Sequence, residues 1–220
     1  MNIKKFGIAF GIILLYIGLS NAESIIFYFI KTGSNLIDNI YLLLMSTINL
    51  VIMLVITRRH WKDEWQKFRE NKKKMMPASL KYWLIGFAFM FVTNLLINFF
   101  LLRDIAPNEA NNRELLNSYK YYSLITTALI APIIEEIIFR LNFKDVFKNK
   151  NMFIIFTGVL FGALHLMSST SLIELVFIIP YSCLGIAFSK IYAETENVFP
   201  SIIMHILHNS FTLLIILGGL

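Results

Sequence analysis

The chain has few of the residues on which soluble and disulfide-stabilised domains depend. Cys183 is its single cysteine, which excludes an internal disulfide, and only 15% of the 220 residues are charged. The pattern His-Glu-x-x-His is missing, which excludes the soluble zinc proteases that carry it. No motif of a nucleic-acid-binding module occurs either, so the net charge of +6 does not indicate a nucleic-acid partner.

Apolar side chains are what the chain has in excess. They make up 57% of the residues, and the mean hydropathy is +0.66. A soluble domain could not bury this much apolar surface, whereas a bilayer removes the need to bury it. Since a spanning helix takes about 20 residues, the sequence predicts an all-α fold, a polytopic transmembrane helix bundle of about seven spans (six to eight). The predicted segments are 6–30, 36–57, 82–102, 121–142, 152–168, 172–193 and 198–219.

The first segment has two interpretations. Lys4 and Lys5, a short apolar stretch and the residues Ser20-Asn21-Ala22 resemble a cleavable signal peptide. Because apolar residues resume at Ile25, we favour an uncleaved helix, either one long helix or one that ends near Leu19 before an interfacial stretch.

The basic residues are distributed unevenly between the predicted loops. Fifteen lie in segments that a cytoplasmic N-terminus places inside, and four lie outside: Lys31, Arg103, Arg113 and Lys120. Cytoplasmic loops of membrane proteins carry the excess of Lys and Arg. The sequence therefore predicts a multi-pass protein of a cell membrane, most simply a bacterial plasma membrane, with its N-terminus in the cytoplasm.

The predicted inner loop 58–81 has a pattern of its own. Trp61, Trp65 and Phe68 recur at helical spacing among nine Lys and Arg residues. This pattern is typical of a helix that lies on an anionic membrane surface, which makes lipid a predicted partner of the loop. An equally weighted alternative is that the charges only set the topology.

Three charged residues lie inside an apolar segment. Glu135 and Glu136 are followed by Arg140, and a charge inside a membrane marks a functional site by default. Glu136 and Arg140 are four residues apart on a helix and can pair, whereas Glu135 is rotated by about 100° from Glu136. Glu135 is then free to act as a general base, unless all three residues form one structural ion-pair network.

Histidines occur in two later segments. His165 follows Gly158 and Gly162, whose spacing allows another helix to approach closely. His205 and Asn209 lie one helical turn apart in the last segment. His208 is also nearby, and we assign it to packing, with a metal ligand or proton relay as alternatives.

Together these residues resemble three motifs of one family, the CAAX-protease and bacteriocin-processing (Abi) family of intramembrane proteases, which includes the type II CAAX prenyl endopeptidases. The resemblance covers residues 121–215. One departure is Leu141, where members often have glycine. The motifs Glu-Glu-x-x-x-Arg, Phe-x-x-x-His and His-x-x-x-Asn match Glu135-Glu136 with Arg140, Phe161 with His165, and His205 with Asn209.

The resemblance implies hydrolysis of a peptide bond in or beside the membrane. Glu135 would activate water with help from His165, and Glu136 and Arg140 would support the helix. His205 and Asn209 would stabilise the oxyanion, or His205 would help to bind a metal. The implied metal set, for Zn²⁺ or another divalent ion, is Glu135, His165 and His205. A metal-free glutamate mechanism is the alternative.

The resemblance also suggests a domain division and a biological setting. Residues 1–120 would be N-terminal transmembrane helices, and residues 121–220 a catalytic four-helix core. The substrate would be a peptide or membrane-associated protein, as in bacteriocin or pheromone processing or self-immunity. The alternatives are a non-catalytic scaffold or bacteriocin-immunity protein that keeps the fold, and a proton-coupled transporter.

Overall fold

The computed structural model describes residues 1–101 and 106–218 of the chain, and it is helical with no strand in these residues. The helices carry their labels in chain order. Arg103, which we predicted to be an outer basic residue, and the predicted segment ends at 102 and 219 lie outside the described residues. The helices are α1 (Ile3–Ile30), α2 (Asn35–Ile56), α3 (Arg58–Leu101), α4 (Pro107–Ser118), α5 (Lys120–Ile125), α6 (Ala131–Glu136), α7 (Lys150–Leu164), α8 (Ile178–Thr195) and α9 (Val198–Leu217).

Two π-helical turns join three short helical pieces into one rod. Thr126–Ile130 links α5 to α6, and Ile137–Leu141 continues α6. We call this rod, residues 120–141, the glutamate helix. A 3₁₀ turn at Leu172–Phe177 similarly leads into α8. Wide π turns are rare and occur most often at functional sites, where they change the direction in which side chains point.

All seven predicted apolar segments are helical, which confirms the all-α membrane bundle. Five helices are long and apolar enough to cross a bilayer, and the glutamate helix and the shorter α7 supply the other two segments. α1 is one continuous helix to Ile30, as in the long-helix interpretation. α7 ends at Leu164 instead of the predicted 168, and the Nδ1 atom of His165, the residue after it, bonds back to the carbonyl oxygen of Phe161.

The predicted inner loop 58–81 is helical throughout, which agrees with the helical spacing of its aromatic residues. These residues form the first half of α3, which has 44 residues and runs without a break into the membrane span. The run is rich in Lys, Glu, Gln, Arg and Met, which all favour helix, and this propensity outweighs the change from polar to apolar composition. Pro77 lies inside the helix, where it removes one backbone hydrogen bond.

The aromatic stripe of this half-helix has a protein partner. The rings of Trp61, Trp65 and Phe68 lie 5.9, 5.4 and 5.5 Å from the ring of Phe199, at the start of α9. Glu64 on the same helix accepts a hydrogen bond from the backbone N–H of Val198 at 2.9 Å. The helical spacing of these aromatics therefore docks α3 on α9, and contact of the basic face with anionic lipid stays a prediction.

Ion pairs bring the predicted inner segments together at one end of the bundle. Lys5 pairs with Asp145 at 3.1 Å, and Lys144 lies 3.6 Å from Glu64. Glu196, in the turn between α8 and α9, pairs with both Lys67 and Lys150. The hydrogen bond from Lys150 and its charge hold the pKa of the Glu196 carboxyl below its usual value. We call this end the basic end, and the topology prediction assigns it to the cytoplasm.

The opposite end is formed by α4 and the loops around it. Asn35, at the start of α2, donates from Nδ2 to the backbone oxygen of Ser118 at 2.8 Å, and Phe27 packs on Tyr119. α3 also packs along α8 and α9, so the N-terminal helices contact the C-terminal ones over a long surface. The predicted division at residue 120 stays a prediction.

Close approach of α7 and α8 depends on glycine. A Cβ atom at Gly158 would lie 2.6 Å from the backbone nitrogen of Ile186, and one at Gly162 would lie 2.9 Å from that of Ser182. From the other side, a Cβ at Gly185 would clash with the carbonyl oxygen of Gly158. The small-residue spacing in the sequence therefore predicted this contact correctly.

We expect Gly158→Ala to destabilise the protein by about 1–3 kcal/mol, because the added methyl group meets backbone that cannot move aside. Thermal unfolding in detergent measures the effect. Gly11→Ala is the matched control, since nothing lies within 4 Å of its added Cβ and alanine favours helix. Equal stability of the two variants would contradict the close contact.

Candidate active site

The glutamate helix points its two acidic side chains in different directions. Glu136 is fully buried, and its Oε1 atom lies 3.2 Å from Nη1 of Arg140. Glu135 lies on the neighbouring face, where its side chain is 17% exposed and lines a cavity of about 300 Å³. The predicted ion pair between Glu136 and Arg140 is therefore present, and Glu135 is the acid that faces open space.

Arg140 is fully buried among aromatic rings and backbone. Its guanidinium carbon lies 5.2 to 5.6 Å from the ring centres of Phe139, Phe161 and Phe188. Nη2 donates to the carbonyl oxygen of Gly185 at 2.9 Å. A buried charge is tolerated only when it is paired and surrounded by such groups, so this contact fixes the glutamate helix against α7 and α8.

His205 lies between the two glutamates. Its Nδ1 atom is 2.9 Å from Oε1 of Glu136, and its Nε2 atom is 3.6 Å from Oε2 of Glu135. The ring also stacks on Phe188, with 4.5 Å between the ring centres. Because a carboxylate that is paired with arginine can only accept, Nδ1 of His205 donates to Glu136, and in the neutral ring the lone pair of Nε2 is directed at Glu135.

His165 approaches the same oxygen from another helix. Its Nδ1 atom donates to the carbonyl oxygen of Phe161 at 2.9 Å, and its Nε2 atom is 3.9 Å from Oε2 of Glu135. A carbonyl oxygen cannot donate, so His165 also carries its proton on Nδ1 when neutral. The fold thus brings together two imidazole lone pairs and one carboxylate from three predicted motifs.

The Oε2 atom of Glu135 is buried and has no hydrogen-bond partner among the described residues. Separations of 3.6 and 3.9 Å are too long for direct hydrogen bonds to the two imidazoles. A buried acceptor with no donor costs about 1–3 kcal/mol, and a water molecule that donates to it removes this cost. The geometry is therefore suited to a water molecule held at Glu135.

Asn209 is placed to use one of its two amide hydrogens. Nδ2 donates to the backbone oxygen of Thr127, in the first π turn of the glutamate helix, at 2.9 Å. The side chain lines the cavity one helical turn from His205. An amide nitrogen has two hydrogens, so the second one remains for a ligand in the cavity.

The three metal ligands that the family resemblance implies, Glu135, His165 and His205, lie together in this cavity. Two imidazole nitrogens and one carboxylate are donors that zinc accepts. However, no group of three or more His, Cys, Asp or Glu side chains in residues 1–101 and 106–218 is arranged to bind a metal ion. The donor types fit a metal and the metal set stays a prediction, so no step of the chemistry below depends on one.

The sequence did not identify several groups that complete the cavity. Tyr181 of α8 stacks on His165, with 4.8 Å between the ring centres, and hydrogen bonds to Asn108 of α4. Asn94 and Asn112 line the same cavity. These residues belong to three different helices, and no spacing within one segment could have grouped them.

His208, which we assigned to packing, does pack, but it also lines the cavity. Its ring lies 6.5 Å from Trp83 and 6.0 Å from Phe87. The side chain is only 8% exposed, and its Nδ1 atom has no hydrogen-bond partner in the described part of the chain. A packing residue would leave this nitrogen unsatisfied, so a ligand of the cavity is the natural partner for it.

Comparison with known proteins gives distant relatives from three bacteria. An uncharacterised protein of Mycoplasma capricolum is 27% identical over 99% of this chain and 65% of its own length. YdiL of Bacillus subtilis, whose name proposes a membrane peptidase, is 25% identical over 75% of this chain and 66% of its own length. YvdC of Lactococcus lactis is 27% identical over 61% of this chain and 52% of its own length. The chain thus spans less than two thirds of the length of each of these relatives, and no solved structure gives a significant match.

A family model matches the part of the chain that contains the cavity motifs. Residues 117–211 match the type II CAAX prenyl endopeptidase Rce1-like family. The matched range starts just before the glutamate helix and includes Glu135, His165, His205 and Asn209. The resemblance seen in the sequence is thereby confirmed. Through residues 117–211, this multi-pass membrane protein is similar to the Rce1-like family.

Proposed function

We propose that this protein is an intramembrane endopeptidase that hydrolyses a peptide bond of a membrane-associated protein or peptide. The observation that carries the proposal is the buried Oε2 atom of Glu135, which has no hydrogen-bond partner among the described residues and faces the Nε2 atoms of His165 and His205. The match of residues 117–211 to the Rce1-like family and the name of YdiL support it.

Glu135 would be the general base. Water held at Oε2 loses a proton to the carboxylate while its oxygen attacks the substrate carbonyl carbon, which places negative charge on the carbonyl oxygen. His165 accepts a hydrogen bond from the same water at Nε2, because its Nδ1 proton is committed to Phe161. The proton on Glu135 then passes to the departing amine, and the carboxylate is restored.

His205 and Asn209 would stabilise the oxyanion. The free hydrogen of Asn209 can donate to it directly. His205 can donate from Nε2 only when its ring is charged, and Glu136 lies at 2.9 Å from Nδ1 to compensate that charge.

Glu136 and Arg140 would hold the catalytic side chains in position. Their pair anchors the glutamate helix to α8 through Gly185, and Glu136 orients the ring of His205. A charge pair without exposure to solvent holds its geometry firmly, which catalysis requires at the level of fractions of an ångström. Neither group faces the cavity, and the reacting atoms do not touch them.

Enrichment of protein N-termini from cells tests the function and finds the substrate. We expect some peptide termini to be present with the wild-type protein and absent with both Glu135→Gln and His165→Ala, at matched protein levels. Lys148→Ala, an exposed change at the basic end, should leave these termini in place. Termini that persist in both variants would remove the proposal and favour the non-catalytic scaffold.

The metal requirement has its own test. We expect cleavage by purified protein to persist after treatment with a zinc chelator, because every step proposed above uses only side chains and water. The rate before chelation, after it and after return of Zn²⁺ is the measurement. Loss of activity that returns with Zn²⁺ would instead support a metal bound by Glu135, His165 and His205.

The biological setting follows only from the family resemblance. We propose processing of a bacteriocin or pheromone peptide, or self-immunity against bacteriocins, as the setting. We also propose that the basic half of α3, with Lys72, Lys73 and Lys74, contacts anionic lipid headgroups. Binding of the protein to vesicles with and without anionic lipid measures the second of these proposals.

A further inference from the structure

The central cavity is closed at one end and open at the other. Around Glu135 its walls are buried, and His205 and Phe161 are each only 2% exposed. At its other end the walls are the half-buried residues Asn108 and Asn112 of α4. The mouth of the cavity therefore lies beneath α4, at the end of the bundle opposite the basic end.

The distribution of basic residues between the two ends of the bundle indicates which side of the membrane this mouth faces. The N-terminus, the start of α3, the segment at 144–150 and the turn at Glu196 meet at the basic end. Because Lys and Arg are concentrated in cytoplasmic segments, the basic end faces the cytoplasm. The mouth beneath α4 then faces the opposite side.

Polar groups continue along the cavity wall between the mouth and Glu135. Asn94 of α3, His208 and Thr212 of α9, and Thr126 of the glutamate helix all line it. The Nδ1 atom of His208 and the Oγ1 atom of Thr126 are buried and have no hydrogen-bond partner in the described residues. An extended polypeptide brings N–H and C=O groups that need partners inside a membrane, and these wall groups can satisfy them.

The length of the cavity sets the number of substrate residues that it can hold. The glutamate helix lines the cavity from Tyr122 near the mouth to Glu135, a distance of about 20 Å at the rise of an α-helix. An extended chain covers this distance with about six residues. A folded domain could not follow this path, and the substrate must be unfolded over that length.

Granting the proposed endopeptidase function, on which this step rests, we infer that the substrate enters from the non-cytoplasmic side. It lies beneath α4 as an extended segment of about six residues, and its scissile bond reaches Glu135. The class of substrate is therefore an exported or membrane-anchored polypeptide whose segment next to the cleavage site is unstructured and lies outside the cytoplasm.

Cysteine labelling tests the direction of entry without any substrate. In a Cys183→Ser background, single cysteines replace Thr212 and Asn94 in the cavity and Lys148 at the basic end. A charged, membrane-impermeant thiol reagent is added to spheroplasts before and after permeabilisation, and the labelled fraction is measured. Two cavity positions are used so that poor folding of one variant does not remove the test.

We expect both cavity cysteines to be labelled in intact spheroplasts, and the one at position 148 to be labelled only after permeabilisation. Cavity cysteines that react only after permeabilisation would overturn the inference, because the mouth would face the cytoplasm. Cavity cysteines that never react would also overturn it. The same labelling in Glu135→Gln protein separates this result from the endopeptidase test, which is measured by peptide termini.

Discussion

Glu135→Gln is expected to lower the rate of peptide-bond cleavage by about 10²–10⁴-fold, the usual contribution of a general base. Glutamine keeps the size of the side chain and its place in the cavity, but its amide cannot accept a proton from water. The rate is measured on a peptide that spans a cleavage site found in cells, with purified protein in lipid. Abundance and thermal stability should change little, because no hydrogen bond to Oε2 is lost among the described residues.

The matched control is Glu70→Gln, which removes the same charge from an exposed position on α3. It should cleave at the wild-type rate. If Glu135→Gln cleaves at the wild-type rate at equal abundance, Glu135 is not the general base.

Arg140→Met is expected to destabilise the protein by about 3–5 kcal/mol, because it leaves Glu136 buried without its cation. The aromatic rings around Arg140 can accept the apolar methionine, so the main cost is the uncompensated carboxylate. Abundance in the membrane and the midpoint of thermal unfolding in detergent are the measurements. The two residues therefore differ in what their replacement changes. Replacing Arg140 lowers the stability of the protein, whereas replacing Glu135 lowers the rate of cleavage.

A double substitution separates charge from packing. Glu136→Gln also removes one partner and should lower stability and abundance. Arg140→Met combined with Glu136→Gln should be more stable than Arg140→Met alone, since no unpaired charge remains. Equal destabilisation in the single and double variants would show that packing, and not the ion pair, is what the site requires.

Neighbouring residues along one helix allowed the most reliable site prediction. Glu136 and Arg140 are four residues apart, and any helix brings such side chains together. The contact of α7 with α8 was equally local in origin, since Gly158 and Gly162 leave room for whichever helix packs there. In both cases the spacing along the sequence was enough to predict the contact. The structure added only which groups lie on the other side of it.

How the three motifs are arranged relative to one another could be seen only in the tertiary structure. The motifs that contain Glu135, His165 and His205 are far apart in the chain, and no periodicity states that their side chains converge on Oε2 of Glu135. The aromatic stripe of α3 shows the same limit. Its spacing indicated a helix with one aromatic face, but the same face can meet lipid or protein, and only packing assigned it to Phe199.

The sequence by itself determined that this protein is a bundle of membrane helices, which segments form it, and which side chains carry the family motifs. Hydropathy and basic charge are properties of each segment, so they do not depend on how the segments meet. Only the tertiary structure decided which side chains converge on Glu135, which nitrogen of each neutral imidazole carries the proton, and at which end the cavity opens. These properties depend on contacts between α4, the glutamate helix, α7, α8 and α9, and such contacts arise only when all of the helices pack together.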